Sequence, residues 1–127
     1  MRMLAQVLLW VSGLGYAGFG VAFLAAPIRT MALAGIVMEG AVAAVELRAF
    51  YGGLELGLGA LIVAAALLGR LRDGLVLTLV SYGAIGGVRL ASMLATGTDT
   101  PFFRFAVAVE LGLAACAGVL LWVTRAG

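Results

Sequence analysis

Four long apolar stretches separated by short polar turns constrain the fold of this chain more than any other feature. A bilayer core about 30 Å thick is crossed by about 20 apolar residues of α-helix. Residues 3–28 carry no charged side chain, and three more apolar stretches of similar length follow. Because proline cannot continue helical hydrogen bonding, Pro27 marks the end of the first stretch. The sequence therefore predicts four transmembrane helices, over residues 4–26, 45–69, 74–95 and 102–124.

The composition excludes a soluble domain of this length. Hydrophobic residues make up 65% of the 127 residues and charged residues 11%, against about 45–50% and about 25% in typical soluble domains. A small soluble fold buries too little of its surface to hide so many apolar side chains. The predicted fold class is therefore all-α, a four-transmembrane-helix bundle that forms a single integral membrane domain over residues 1–127.

The arginines predict the orientation of the bundle, because short cytoplasmic loops carry an excess of basic residues. With the N-terminus inside, the cytoplasmic arginines are Arg2, Arg70, Arg72 and Arg125. The outer loops then carry Arg29 and Arg104, offset by Glu39 and Asp99. We therefore expect both termini to be cytoplasmic.

The connection between the first two spans, residues 28–44, is longer than the other two. Its small and apolar residues predict a short interfacial helix rather than an extended loop. Met31, Leu33, Ile36 and Val37 would lie on the membrane surface or, equally well, pack against the bundle.

The second half of the chain echoes the first. Tyr16-Ala-Gly-Phe-Gly20 aligns with Tyr82-Gly-Ala-Ile-Gly86, and Glu55-Leu-Gly-Leu-Gly-Ala60 aligns with Glu110-Leu-Gly-Leu-Ala-Ala115. Matches of Ala, Gly and Leu have little weight in such a biased chain, but a glutamate inside a span is rare. The pattern favours two parallel helical-hairpin repeats, related by an axis along the membrane normal. Chance similarity is the alternative.

Charged residues lie inside the second, third and fourth spans. Counted at about 1.5 Å of rise per residue from the outer ends, Arg89 is about 9 Å deep, Glu110 about 12 Å and Glu55 about 15 Å. Such residues must face the bundle interior and find partners. Arg89 is expected to pair with Glu110, and Arg48 with Glu46 or Glu55.

One carboxylate then remains, because three glutamates face two arginines. Glu55 would carry a proton or hold a cationic ligand. Tyr51 lies one helical turn before Glu55, whereas Tyr16 and Tyr82 are expected mainly to pack. The predicted ligand-binding or structural ion-pair cluster is Glu46, Arg48, Tyr51, Glu55, Arg89 and Glu110. A purely structural role, in which the ion pairs fix the register of the helices, is an equal alternative.

The residue inventory limits the chemistry. The chain has no His and one cysteine, Cys116, so imidazole-based catalysis, histidine ligation of haem and an internal disulfide are excluded. We expect no metal site, no cofactor and no catalytic residues. The net charge of +2 gives no reason to expect binding to nucleic acid.

The motif Glu46-Leu-Arg-Ala-Phe-Tyr-Gly-Gly53 resembles that of a family of small four-helix bacterial membrane proteins known only as a domain of unknown function. The Gly-rich first helix ending near Pro27, the late Arg89 of the third helix and Glu110 of the fourth extend the resemblance along the whole chain. The resemblance implies a bundle in the bacterial inner (plasma) membrane and supplies no activity.

Three functions are compatible with these features. The first is a non-enzymatic protein that binds a lipid or small molecule or serves as an accessory membrane subunit. The second is a proton-coupled small-molecule carrier that works as an oligomer. The third is a membrane enzyme that uses Glu55 as acid and base. The first is expected, with membrane lipid, a second copy of the chain or a larger membrane complex as partner.

Overall fold

The computed structural model describes residues 1–125. Helix α1 spans Arg2–Ala25 and is followed by the short helix α2, Pro27–Leu33. The second long helix runs over Gly40–Leu67 and consists of α3 (Gly40–Glu46), a π-helical segment (Leu47–Gly53) and α4 (Leu54–Leu67). Helices α5 (Leu71–Thr96) and α6 (Pro101–Arg125) complete the bundle.

Four of these helices are long and apolar enough to cross a bilayer, which confirms the predicted all-α bundle and identifies a membrane protein. Large apolar side chains cover the outside of the bundle; Val42, for example, is 82% exposed. Such a surface is stable in contact with lipid but not with water. The helix of the second span begins at Gly40, five residues before the predicted start.

Local sequence explains where the helices end. Pro27 occupies the first turn of α2, so the chain breaks at Ala26, whose φ and ψ are −144° and 72°. Gly97 ends α5 in the left-handed region, at φ +67°, where glycine has no steric penalty. The turn at Gly97 keeps the connection between α5 and α6 short, whereas Pro27 starts the separate helix α2 in the longer connection between α1 and the second long helix.

The four long helices form two hairpins. Helix α1 packs along the second long helix, and α5 packs along α6; each pair makes more contacts internally than with the other pair. Glycines allow the close approach in the first hairpin: a Cβ on Gly20 would lie 2.8 Å from the backbone nitrogen of Leu56. The membrane core is therefore built from two tightly packed pairs with a thinner interface between them.

The predicted short helix between the first two spans is α2. Met31 of α2 is buried with Phe23 and Leu47, so this residue packs against the bundle. Leu33 and Val37, by contrast, are exposed. The sequence left open whether this segment packs against the bundle or lies on the membrane surface. Met31 packs against the bundle. For the exposed residues, a position on the membrane surface remains a prediction.

Equivalent positions of the two hairpins are buried in the same way. The alignment that pairs Tyr16 with Tyr82 also pairs Leu9 with Leu75, and all four side chains are buried. A Cβ on Gly20 would meet Leu56, and a Cβ on Gly86 would meet Leu111, which the glutamate alignment makes equivalent residues. These contacts support the predicted duplication of a hairpin.

One pair of positions shows compensating sizes. A Cβ on Gly13 of α1 would lie 2.7 Å from a methyl group of Val63 on α4. At the equivalent place in the second hairpin the large residue is on the other helix: a Cβ on Gly118 of α6 would lie 3.6 Å from Leu79 of α5. The two hairpins thus keep a small residue opposite a large one while exchanging which helix carries each.

Candidate functional site

A hydrogen-bonded ion pair joins α5 and α6 inside the bundle. Nε of Arg89 donates to Oε1 of Glu110 at 2.8 Å, and the predicted pairing of these residues is therefore present. The Glu110 side chain is 10% exposed and that of Arg89 30% exposed. The Arg89 guanidinium also lies 5.7 Å from the ring centroid of Phe103, a cation–π contact. The charge of Glu110 is thus compensated within its own hairpin.

Glu55 is the equivalent glutamate of the first hairpin, and it has no such partner. Its Oε2 is buried and makes no hydrogen bond to any of residues 1–125. The alignment of the hairpins explains why: the position in α1 that matches Arg89 is Phe23, a buried aromatic residue. The charged side chains nearest to Glu55 belong to the other hairpin and are Glu110 and Arg89.

Two stacked tyrosines lie at the interface between the hairpins. The ring centroids of Tyr16 and Tyr82 are 4.2 Å apart and their planes differ by 24°. The hydroxyl of Tyr82 donates to the backbone carbonyl of Ser12 at 2.7 Å. Glu55 and Glu110 are the carboxylates nearest to both tyrosine hydroxyls. The rings and the two carboxylates therefore form one polar cluster in the membrane interior.

Two buried hydroxyls of the bundle interior make no hydrogen bond among the described residues. They are Oη of Tyr16 and Oγ1 of Thr78, and both residues are almost completely buried. The hydroxyl of Ser81 lies near Oη of Tyr16, but it donates to the backbone carbonyl of Leu77 at 2.6 Å. A buried polar group without a partner is costly. Together with Oε2 of Glu55, these atoms give the interior one acceptor and two hydroxyls that can each donate or accept.

The π-helical segment places the remaining predicted site residues away from this cluster. Nε of Arg48 donates to the backbone carbonyl of Leu24 at 3.1 Å, rather than to Glu46 or Glu55 as expected. A π-helix has wider turns than an α-helix, so the seven residues from Arg48 to Glu55 no longer complete two turns. Arg48 is consequently exposed, whereas Glu55 is directed inward.

The side chains of Tyr51 and Glu46 also lie away from the polar cluster. The Tyr51 ring packs against Phe23, with centroids 4.9 Å apart, and is 42% exposed. Glu46 is exposed and lies with Tyr51 along a surface groove of about 300 Å³ that also contains Met31 and Met38. Of the six predicted residues, the structure thus brings together Glu55, Arg89 and Glu110, and it separates Glu46, Arg48 and Tyr51 from them.

Sequence reasoning missed the buried hydroxyls. Ser12 and Thr78 lie one helical turn before Tyr16 and Tyr82, and both are fully buried. Ser12 satisfies its own hydroxyl by donating to the carbonyl of Leu8 at 2.7 Å. A hydroxyl residue at the same place in both halves of the repeat was the signal available in the sequence.

A salt bridge closes the turn between α5 and α6. Nε and Nη2 of Arg104 donate to Oδ1 and Oδ2 of Asp99 at 2.6 and 2.5 Å. Both side chains are at least half exposed. The hydrogen bonds from Arg104 lower the pKa of Asp99, because they favour the ionised carboxylate.

Within residues 1–125, no group of three His, Cys, Asp or Glu side chains is placed to hold a metal ion. The polar cluster contains two carboxylates, one guanidinium and two phenols, which can form hydrogen bonds and ion pairs. Among its carboxylates, Glu55 alone lacks a hydrogen-bonded partner in the described chain.

Comparison with known protein families gives a match over nearly the whole chain. The model of a family described as Domain of unknown function (DUF4345) matches residues 4–121, nearly the whole chain, which confirms the resemblance seen in the motif at residues 46–53. No curated protein and no solved structure matches the chain.

Proposed function

We propose that this chain, which belongs to the family described as Domain of unknown function (DUF4345), is a non-enzymatic membrane protein that binds a small molecule between its two hairpins. The observation that carries the proposal is a pair of buried polar atoms of the cluster that have no hydrogen-bond partner among the described residues, Oε2 of Glu55 and Oη of Tyr16. A bundle that needed only structural ion pairs would have no use for them.

The contrast between the two glutamates separates a structural role from a binding role. Glu110 is neutralised by Arg89 through a 2.8 Å hydrogen bond, so it can fix the packing of α5 on α6. Glu55 occupies the equivalent position with Phe23 in place of the arginine. An ionised carboxylate inside a membrane must find an opposite charge or strong hydrogen-bond donors. We therefore assign ligand binding to Glu55.

The surroundings of Glu55 define the ligand by its chemistry. A carboxylate oxygen accepts hydrogen bonds, and aromatic faces such as the stacked Tyr16 and Tyr82 attract cations. Helix packing at this level is close, since a Cβ on Gly59 would lie 2.8 Å from the backbone nitrogen of Ala17. The ligand is therefore a compact molecule with an ammonium group or a comparable hydrogen-bond donor.

The test uses the purified protein in lipid nanodiscs and measures its thermal midpoint by intrinsic fluorescence. Methylammonium, ethylammonium and choline are the probes, and acetate is the anionic control. At least one cation should raise the midpoint of the wild-type protein, because a ligand that binds only the folded state stabilises it. Glu55→Gln should lose this rise, whereas Glu39→Gln, a change in the loop before α3, should keep it. An equal rise in Glu55→Gln, or no rise in the wild type with any cation, would contradict the proposal.

A proton-coupled carrier is the second candidate, and the arrangement of the hairpins favours it. Each hairpin packs extensively within itself and less against the other, and the polar cluster lies at that thinner interface. Rocking of one hairpin against the other would expose Glu55 to the two sides in turn, the general mechanism of repeat-based transporters. Vesicles loaded with a pH indicator should then show proton movement driven by an amine gradient, and Glu55→Gln should abolish it.

We also propose that the chain resides in a bacterial inner membrane with both termini cytoplasmic. The support is the distribution of arginines, which places Arg2, Arg70, Arg72 and Arg125 at one end of the bundle. Fluorescent and phosphatase reporters fused to each terminus test the orientation. Fluorescence with no phosphatase activity at both ends is the expected result, and phosphatase activity at either end would contradict it.

A further inference from the structure

A second candidate site lies on the lipid-facing side of the second hairpin, far along the chain from Glu55. It is a groove of about 310 Å³ between α5 and α6. Its two charged residues are Arg72, in the first turn of α5, and Arg125, the last residue of α6. Because α5 and α6 are antiparallel neighbours, the beginning of one and the end of the other bring both guanidiniums to the same end of the bundle.

The rest of the groove is apolar and leads away from the arginines along the helices. Val76 and Leu79 of α5 form one wall, and Leu121 of α6 lies opposite. Gly118 has no side chain to fill the space: a Cβ there would be in ordinary contact with Leu79, 3.6 Å away. The groove thus combines a cationic end with an apolar channel between two membrane-spanning helices.

Trp122 lies where the cationic end of the groove meets its apolar channel. Its side chain lines the groove and is 75% exposed. Tryptophan is enriched where the hydrocarbon core meets the headgroup region, and Trp122 lies within one turn of Arg125. This position identifies the arginine end of the groove as the part at headgroup depth.

Neighbouring charges strengthen the positive potential at this end. Arg2 lies beside the turn between α4 and α5, since a Cβ on Gly69 would be 3.7 Å from Nη2 of Arg2. Arg70 is compensated by Asp73, with Nη2 to Oδ2 at 2.6 Å. Arg72 makes no salt bridge with an acidic side chain of residues 1–125. Basic pockets between transmembrane helices bind the headgroups of anionic lipids.

We propose that this groove binds one anionic phospholipid, with its phosphate between Arg72 and Arg125 and an acyl chain along Val76, Leu79 and Leu121. The charge of the headgroup complements the two guanidiniums, and the acyl chain covers an apolar surface that Gly118 leaves open. The groove is separate from the small-molecule site at Glu55, because none of the groove residues belongs to that cluster.

Native mass spectrometry of the whole protein, released from nanodiscs of equal parts phosphatidylglycerol and phosphatidylcholine with identical acyl chains, tests this assignment. The wild type should retain phosphatidylglycerol preferentially. Arg72→Gln and Arg125→Gln should each weaken the preference about fivefold, and the double change about 25-fold, as expected for about 1 kcal/mol per basic residue near the surface. Arg29→Gln, at the opposite end of the first hairpin, is the matched control and should keep the wild-type preference.

A second variant distinguishes a bound lipid from a bound phosphate ion. Gly118→Leu should fill the apolar channel and reduce retention of phosphatidylglycerol, while leaving any protection by inorganic phosphate unchanged. Thermal midpoints of all variants identify those that fail to fold. The proposal is overturned if the wild type retains both lipids equally, if Arg29→Gln weakens the preference as much as Arg72→Gln, or if inorganic phosphate alone displaces the lipid. Dimers that Arg72→Gln dissociates without any change in lipid selectivity would assign the groove to a second copy of the chain.

Discussion

Arg89 and Glu110 are joined across α5 and α6 by a hydrogen bond of 2.8 Å between Nε and Oε1, whereas Glu55, the counterpart of Glu110 in the first hairpin, has an aromatic residue where the arginine would be. This difference between two otherwise similar hairpins explains why Glu110 is paired with an arginine of its own hairpin and Glu55 is not.

Breaking the Arg89–Glu110 pair should destabilise the bundle more than removing it altogether. Arg89→Gln or Glu110→Gln leaves one charge in the interior without its partner, which we expect to cost about 3 kcal/mol, the lower end of the range for buried pairs. The double change Arg89→Met with Glu110→Leu should recover most of that loss. Denaturation by increasing SDS in mixed micelles measures all three. Equal stability of the single variants and the wild type would show that the pair contributes nothing.

The two stacked tyrosines should respond differently to loss of their hydroxyls. Tyr82→Phe removes a hydrogen bond to the carbonyl of Ser12 and should cost about 1 kcal/mol of unfolding free energy. Tyr16→Phe removes a buried hydroxyl that has no partner among the described residues, so it should be neutral or stabilising without added ligand. The same SDS titration compares the pair. A loss in Tyr16→Phe as large as in Tyr82→Phe would mean that the Tyr16 hydroxyl is satisfied, and would weaken its assignment to the ligand site.

Glycine positions along the first hairpin should separate into sensitive and tolerant ones. Gly20→Ala places a methyl group 2.8 Å from the backbone of Leu56, and since a backbone atom cannot move aside, we expect a loss of about 1–3 kcal/mol. Gly18→Ala and Gly57→Ala meet no atom within 4 Å and should be neutral or gain up to about 1 kcal/mol from helix propensity. Thermal midpoints in one detergent provide the comparison. If Gly20→Ala matched the two control variants, α1 and the second span would not be in backbone contact.

The spans, the turn at Pro27 and the Arg89–Glu110 pair could be predicted from the sequence because each depends on local information. Hydropathy determines which segments enter the membrane, and helical rise determines the depth of each charge. A wrong expectation about Arg48 arose from the π-helical segment. One wider turn changes the direction of every side chain before it but leaves the hydropathy of the segment unchanged. The periodicity of apolar residues therefore does not reveal the π-helical segment. The adjacent Gly52 and Gly53 were the only local irregularity in that region.

The tyrosine stack could not be predicted for a different reason. It depends on how the two hairpins pack against each other, and no pattern within one helix specifies that interface. The repeat does show which residues of the two hairpins are equivalent, because it aligns Tyr16 with Tyr82 and Ser12 with Thr78. When two repeats are related by an axis along the membrane normal, equivalent residues that lie close to this axis face each other. The same alignment shows Phe23 in the place of Arg89, the substitution that leaves Glu55 without an arginine.

The turn between α5 and α6 should weaken in acid, and Asp99 is the group responsible. Hydrogen bonds from Arg104 lower the pKa of Asp99 in the folded protein, so its contribution to stability is present above the unfolded value of about 3.9 and is lost as the pH falls through the lower, folded value. Thermal midpoints of the wild type and Asp99→Asn should therefore differ near neutral pH and converge on acidification. Because both side chains are exposed, about 1 M salt should reduce the difference by screening. A difference that is independent of both pH and salt would show that Asp99 acts through its shape in the turn rather than through its charge.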